Sequence, residues 1–253
     1  DKILKLSNEL EIYDEIPELL SVSLGAAETS LLSLTSAYAS FVNGGKKIQP
    51  NLISRIQDRR GKTIYRVKNK KCIGCDKFLN DSKTYPTIEY KNDRVFSEET
   101  AYQMTSILEG VVQRGTAKKL KDLKVPLAGK TGTTNKNYDA WFIGFSSNLV
   151  IGVYVGFDNP KTLGKFETGS KAALPIFKEF VKNSLFKEDF KEFETPKGIY
   201  LTSINYDTGL KASMEGKNTI IEALKAKDIN NINNNKLISI NSYDKLIKYR
   251  QFY

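Results

Sequence analysis

Three strand-like apolar runs, joined by short links, constrain the fold of this chain more than any other feature. The runs cover residues 125–134, 140–145 and 149–157, so the two links comprise residues 135–139 and 146–148. A crossover between parallel strands needs roughly a dozen residues or more, so strands this close in sequence must pair antiparallel. The sequence therefore predicts an antiparallel meander.

Helical periodicity flanks the predicted meander on both sides. Apolar residues recur at helical spacing in residues 29–42 and again in residues 97–115. A third helix is predicted for residues 169–185. Its apolar stripe is expected to consist of Ile176, Phe177, Phe180 and Val181. Helices on both sides of the meander predict an α+β fold, with helices covering the antiparallel sheet.

The chain is predicted to divide into two parts. Residues 1–193 contain these helices and strands and form the main domain. Within it, residues 53–67 have the pattern of a β-hairpin, and residues 68–92 are interpreted as a polar loop or a small insertion. Residues 194–253 form a C-terminal extension, and its asparagine-rich composition predicts weak structure after about residue 212.

Composition excludes several kinds of catalytic site. The chain has no histidine, which excludes Ser-His-Asp catalysis, Cys-His catalysis and any zinc site that contains histidine. Cys72 and Cys75 lie in polar sequence, so we expect a local disulfide or two idle thiols rather than a redox centre. Two thiolates without other soft ligands cannot complete a structural zinc site. No metal and no cofactor is therefore expected.

The chain is strongly basic, with 39 Lys and Arg against 29 Asp and Glu and a formal net charge of +10. Such a balance can indicate nucleic acid, an anionic membrane surface or an acidic polymer as a partner. The basic residues are mostly scattered lysines without an arginine-rich stripe, which argues against nucleic acid. No stretch approaches 18 consecutive apolar residues, so no membrane span is predicted in this sequence.

The end of the first predicted strand can bind a carboxylate next to a reacting carbonyl group. Lys130 supplies an ammonium group, Thr131, Thr133 and Thr134 supply hydroxyls, and Gly132 leaves the strand face open to a substrate backbone. A strand end can also direct a backbone N–H at a developing oxyanion, and we expect the N–H of Thr133 to do so. Lys-Thr-Gly alone is a weak motif, which a polar turn beside an edge strand would also explain.

Gly129-Lys130-Thr131 also invites a phosphate-binding interpretation, since a P-loop ends in Gly-Lys-Ser/Thr. The full pattern requires a glycine five residues before Gly129, and Lys124 occupies that position. A P-loop leads directly into a helix, whereas turn-like residues here lead into another strand. A nucleotide site is therefore not expected.

Several further segments occur in a fixed order around Lys-Thr-Gly. They are residues 23–29 (SLGAAET), 37–39 (AYA), 41–45 (FVNGG), 112–117 (VQRGTA), 128–134 (AGKTGTT), 139–145 (DAWFIGF), 153–158 (VYVGFD) and 173–177 (ALPIF). Over roughly residues 20–212, this ordered run resembles the transpeptidase domain of class A, bifunctional penicillin-binding proteins. The resemblance implies that residues 1–193 are the C-terminal portion of that domain.

The resemblance also implies a function in cross-linking peptidoglycan by serine acyl transfer. Lys130, Thr131, Gly132, Thr133 and Thr134 would line the cleft and bind the terminal carboxylate of a D-Ala-D-Ala stem peptide or of a β-lactam. The chemistry needs no histidine, because a lysine activates the serine. It further implies a place on the periplasmic face of the bacterial inner membrane, with the membrane anchor outside this chain.

The nucleophile that the family requires is not found at its expected place. The family's serine lies in a Ser-x-x-Lys motif followed by Ser-x-Asn, and residues 1–129 contain neither. Ser184–Lys187, Ser242–Lys245 and Ser146–Asn148 fit these patterns by letters, but all lie after Lys-Thr-Gly. We therefore expect the chain to be inactive alone. The alternative is a non-catalytic basic module that binds cell wall or nucleic acid.

Overall fold

A computed structural model of the chain describes residues 2–13, 15, 16, 18–67, 70–75, 86–90, 93–184, 190–213, 216 and 218–233. The helices are α1 (Lys2–Glu9), α2 (Leu31–Val42), α3 (Glu98–Gln113), α4 (Ala173–Ser184) and α5 (Ala226–Asn233). Short 3₁₀ helices lie at Leu20–Leu24, Lys118–Leu123 and Asn135–Asn137. The strands are β1 (Arg55–Gln57), β2 (Thr63–Arg66), β3 (Lys70–Ile73), β4 (Thr87–Tyr90), β5 (Ala128–Thr133), β6 (Ala140–Phe145), β7 (Val150–Val155), β8 (Ile199–Asn205) and β9 (Thr219–Lys225).

The predicted meander is confirmed as a three-stranded antiparallel sheet. Its order is β5-β6-β7, with β6 in the centre. Thr133 pairs with Ala140 at one end of β5 and β6, and Phe145 pairs with Val150 across the turn at the other end. The short links of the sequence are therefore the two turns of the sheet.

Helices cover both faces of this sheet, whereas the sequence predicted only that helices pack against it. The Phe142 side chain on β6 faces α4, where its ring centroid lies 4.9 Å from that of Phe177. Phe145, three residues further along β6, faces the opposite side, where its ring centroid lies 6.4 Å from that of Tyr38 on α2. Side chains alternate between the two faces of a strand, so β6 contributes to two apolar clusters. The α+β arrangement therefore has its core on both sides of β6.

The apolar stripe of α4 differs from the prediction. Phe177 and Val181 are buried as expected, and Leu174 joins them at 1% exposure. Ile176 and Phe180 are instead 52% and 45% exposed. The apolar side of the helix is wider than its contact with the sheet, so its flank stays in solvent.

The C-terminal extension contains more structure than its composition predicted. β8 and β9 pair antiparallel from Ile199 opposite Lys225 to Asn205 opposite Thr219. The hairpin lies against α3, where the Gln103 side-chain amide donates to the Ala223 carbonyl at 3.0 Å. The expected weak structure after about residue 212 is thus wrong for residues 219–225, because contacts with α3 stabilise this hairpin. Helix α5 follows it directly.

The polar segment 68–92 contains an antiparallel pair of strands. β3 and β4 pair with Cys72 opposite Ile88, and residues 76–85 between them lie outside the described residues. Cys72 and Cys75 form a disulfide with a Cα–Cα distance of 5.8 Å. Of the two states that the sequence left open, the structure has the bonded one.

Candidate functional site

The Lys-Thr-Gly residues lie on a strand with one open edge. β5 pairs with β6 on one side, and in the described part of the chain no strand pairs with its other side. Ala128 and Gly129 are buried in the sheet, whereas Lys130 and Thr133 are exposed and Thr131 and Gly132 are half-buried. The start of β5 is therefore anchored in the core, and the rest of the strand is accessible to solvent.

Backbone geometry directs the N–H of Thr133 to this open edge. The N–H of Thr134 donates to the Asp139 carbonyl at 3.2 Å, on the side of β6. Successive backbone groups of a strand point in opposite directions, so the N–H of Thr133 and the carbonyl of Thr131 point away from β6. The Lys130 ammonium donates to that carbonyl at 2.8 Å. A positive charge and a free N–H donor thus share the open edge.

Two hydroxyls on one face of β5 are held by residues from other elements. The Thr131 Oγ1 lies 2.9 Å from the Thr116 Oγ1, which follows the C-terminus of α3. Either oxygen can be the donor, so one of the two hydroxyl hydrogens stays available to an anion. The Thr133 Oγ1 accepts from the Gly169 N–H at 3.0 Å. The Thr134 Oγ1 instead accepts from the Asp139 N–H at 2.8 Å, inside the β5–β6 turn.

Gly169 lies directly against the backbone of β5 and β6. A Cβ at this position would come within 2.4 Å of the Trp141 carbonyl oxygen and 2.5 Å of the Gly132 carbonyl oxygen. Any larger residue would push the segment off the sheet and break its hydrogen bond to Thr133. Glycine is therefore required here by the close approach.

The sequence predicted some of these residues as site residues and did not predict others. Lys130, Thr131 and Thr133 do come together at the exposed half of β5. Thr116 and Gly169 were not predicted as site residues, although Thr116 lies in the ordered segment 112–117. Gly169 has no local sequence signal, since its role depends on a contact with residues 28 or more positions away.

The serines that matched the family's motifs by letters lie away from this edge. Ser146 and Asn148 belong to the β6–β7 turn, where the Ser146 hydroxyl donates to the Asn148 Oδ1 at 2.8 Å. That turn is at the opposite end of β6 from Thr133, a distance of roughly 20 Å at about 3.3 Å per residue. Ser184 ends α4. Lys187 and the segment from Ser242 to Lys245 lie outside the described residues.

The described residues show neither a metal site nor a membrane-spanning helix. No group of three or more His, Cys, Asp or Glu side chains in these residues is arranged to hold a metal ion. Among the described helices, none has the length and apolar character that crossing a bilayer requires.

The chain is similar in sequence to known proteins. Residues 16–182 match the model described as the penicillin binding protein transpeptidase domain. Penicillin-binding protein 1A of Rickettsia prowazekii is 40% identical over 239 residues, which cover 94% of this chain and 30% of that protein. The chain therefore spans less than a third of the length of this relative.

Solved structures agree with this result. The crystal structure of penicillin-binding protein 1A from Haemophilus influenzae aligns with a TM-score of 0.72 at 32% identity, over 89% of this chain and 36% of that one. PonA1 from Mycobacterium tuberculosis, in complex with penicillin V, shares the fold with a TM-score of 0.53. The two proteins are 18% identical, and the alignment covers 76% of this chain and 51% of PonA1.

Proposed function

The chain belongs to the penicillin-binding protein transpeptidase family, and from that premise we propose that it forms one wall of the catalytic cleft of a peptidoglycan D,D-transpeptidase. The open edge of β5 carries this proposal. At this edge, one extended peptide can contact the Thr133 N–H, the Lys130 ammonium and the Thr131 hydroxyl. An extended ligand can add to such an edge as a further strand.

On this proposal, the substrate is the D-Ala-D-Ala end of a stem peptide. Its terminal carboxylate binds the Lys130 ammonium and the hydroxyl hydrogen that the Thr116–Thr131 pair leaves available, through charge-assisted hydrogen bonds. The penultimate carbonyl oxygen binds the Thr133 N–H, which stabilises the negative charge of the tetrahedral intermediate. β-Lactams offer a carboxylate and a reactive carbonyl as well, so the same groups bind them.

The proposed reaction takes place in two steps. A serine oxygen bonds to the penultimate D-Ala carbonyl carbon. The bond from that carbon to the terminal D-Ala nitrogen breaks, and the proton of the serine hydroxyl passes to the departing amine. An amine of a second stem peptide then attacks the ester and releases the serine. We propose that this serine comes from polypeptide outside the present chain, because residues 1–129 contain no Ser-x-x-Lys. The reaction would take place on the periplasmic face of the inner membrane.

Replacing Lys130 by alanine tests the proposal. We define the chimera as penicillin-binding protein 1A of Rickettsia prowazekii in which this chain replaces the segment that it matches. In the chimera, Lys130→Ala should slow acylation by a fluorescent penicillin roughly 10- to 100-fold, since a hydrogen bond to a charged group contributes about 1.5–3 kcal/mol. Lys182→Ala, which removes an exposed lysine in the last turn of α4, is the control and should have no effect. Equal rates for both variants would contradict the proposal.

The isolated chain should not react with penicillin. The chain has the β5 wall but contains no Ser-x-x-Lys motif before Lys-Thr-Gly, where the family has its nucleophile. We expect no covalent fluorescent label on the purified chain under conditions in which the chimera is labelled fully. Mass spectrometry that located a penicilloyl group on a serine of residues 1–253 would show that the nucleophile is in this chain.

A further inference from the structure

A cavity of about 470 Å³ lies between α2, α3 and residues 191–196. It is separate from the open edge of β5. Its wall includes Ser147 and Asn148 of the β6–β7 turn, which lies at the opposite end of β6 from Thr133. The two sites are therefore roughly 20 Å apart along the sheet. The cavity has no part in the function proposed above, and its volume is in the range that binds small ligands.

The inner wall of the cavity is apolar and aromatic. Phe41 and Phe193 both line it, and each ring packs on another buried or half-buried ring of the core. Ala101, at 1% exposure, forms the wall on α3. The Tyr102 hydroxyl accepts from the Thr195 hydroxyl at 2.9 Å, which holds the segment 191–196 on α3. An aliphatic chain can therefore pack against these rings.

The rim of the cavity is acidic in a chain whose net charge is +10. Three carboxylates line it, from Glu98, Glu192 and Glu194, against the ammonium of Lys191. Arg94 neutralises Glu98 at 2.8 Å. In the part of the chain that the structure describes, Glu192 and Glu194 form no ion pair.

A glutamate close to the cavity has a raised pKa. Glu109 lies one helical turn beyond Thr105, a residue of the cavity wall on α3. Burial of its carboxyl and the like charge of Glu192 raise the pKa of Glu109 to about 7. Both effects disfavour the negative charge, and a cation near Glu192 would oppose the second one.

We propose that this cavity binds a peptide segment by a lysine side chain, with the aliphatic stem against Phe41 and Phe193 and the ammonium at Glu192. Lysine combines an apolar stem with a terminal charge, which matches an apolar wall with an acidic rim. The aromatic rings add an attraction for the cation. Charge complementarity favours this occupant over an acidic or a purely apolar peptide.

Binding of three matched peptides to the purified chain tests the proposal. The probes are acetyl-Ala-Lys-Ala-amide, its norleucine analogue, which keeps the stem but lacks the ammonium, and its glutamate analogue. Isothermal titration at pH 7.5 should show the lysine peptide binding at least about 5-fold more tightly than the norleucine peptide, and the glutamate peptide more weakly still. Equal affinities for lysine and norleucine would overturn the proposal.

Two variants and one titration localise the effect. Glu192→Gln should remove the advantage of lysine over norleucine, whereas Glu179→Gln, an exposed glutamate on α4, should leave it unchanged. The ¹³C signal of the Glu109 carboxyl should titrate at lower pH when the lysine peptide is bound, because the bound ammonium offsets the charge of Glu192. Loss of the lysine preference in both variants, or an unchanged Glu109 titration, would refute binding at this cavity.

Discussion

Replacing Thr133 by proline should slow acylation of the chimera by a fluorescent penicillin about 10²- to 10³-fold more than replacing it by alanine, because proline has no N–H. The N–H of Thr133 points away from β6, so its loss breaks no hydrogen bond of the sheet. Proline is tolerated at such outward positions of an edge strand. Gly132, which precedes it, takes an extended conformation that suits a residue before proline.

The two variants separate the N–H from the hydroxyl. Thr133→Ala removes the hydroxyl that accepts from Gly169 and keeps the N–H, and Thr133→Pro removes both. The acylation rate is measured by stopped-flow mixing, and circular dichroism checks that each variant is folded. If alanine and proline slow the reaction equally, the N–H does not stabilise the oxyanion, and the role of Thr133 is limited to its side chain.

Local periodicity was sufficient to predict the sheet and its helices, because their pattern repeats over a few residues. Short links predicted the order β5-β6-β7, and the apolar positions of α2 and α3 predicted their helices. The β8–β9 hairpin could not be predicted in this way. Its contacts with α3 join residues more than 100 positions apart, such as Gln103 and Ala223. Composition carries no information about such pairs.

In the candidate site, too, a local motif identifies some residues, and only the fold brings the others to the strand. Lys130, Thr131 and Thr133 are adjacent in sequence, so a motif could identify them together. Thr116 and Gly169 reach the strand from 15 and 36 residues away, and only the folded chain brings their hydrogen bonds to it. The prediction of Thr134 as a binding residue rested on its hydroxyl. That hydroxyl accepts from the Asp139 N–H in the turn, so its part in binding stays a prediction.

Replacing Phe177 by alanine should lower the free energy of unfolding of the chain by roughly 3–5 kcal/mol, because it leaves a cavity between α4 and the sheet. Phe177 is fully buried, and its ring packs on Phe142 at the centre of β6. Phe180→Ala makes the same change on the same helix at a side chain that is 45% exposed, and should cost less than about 1.5 kcal/mol. Urea unfolding measures both values, as shifts in midpoint at constant slope. If the two variants lost equal stability, α4 would pack on the sheet through the predicted stripe rather than the observed one. Because β6 pairs with β5, the same experiment also measures how strongly packing against α4 stabilises the sheet that carries the open edge.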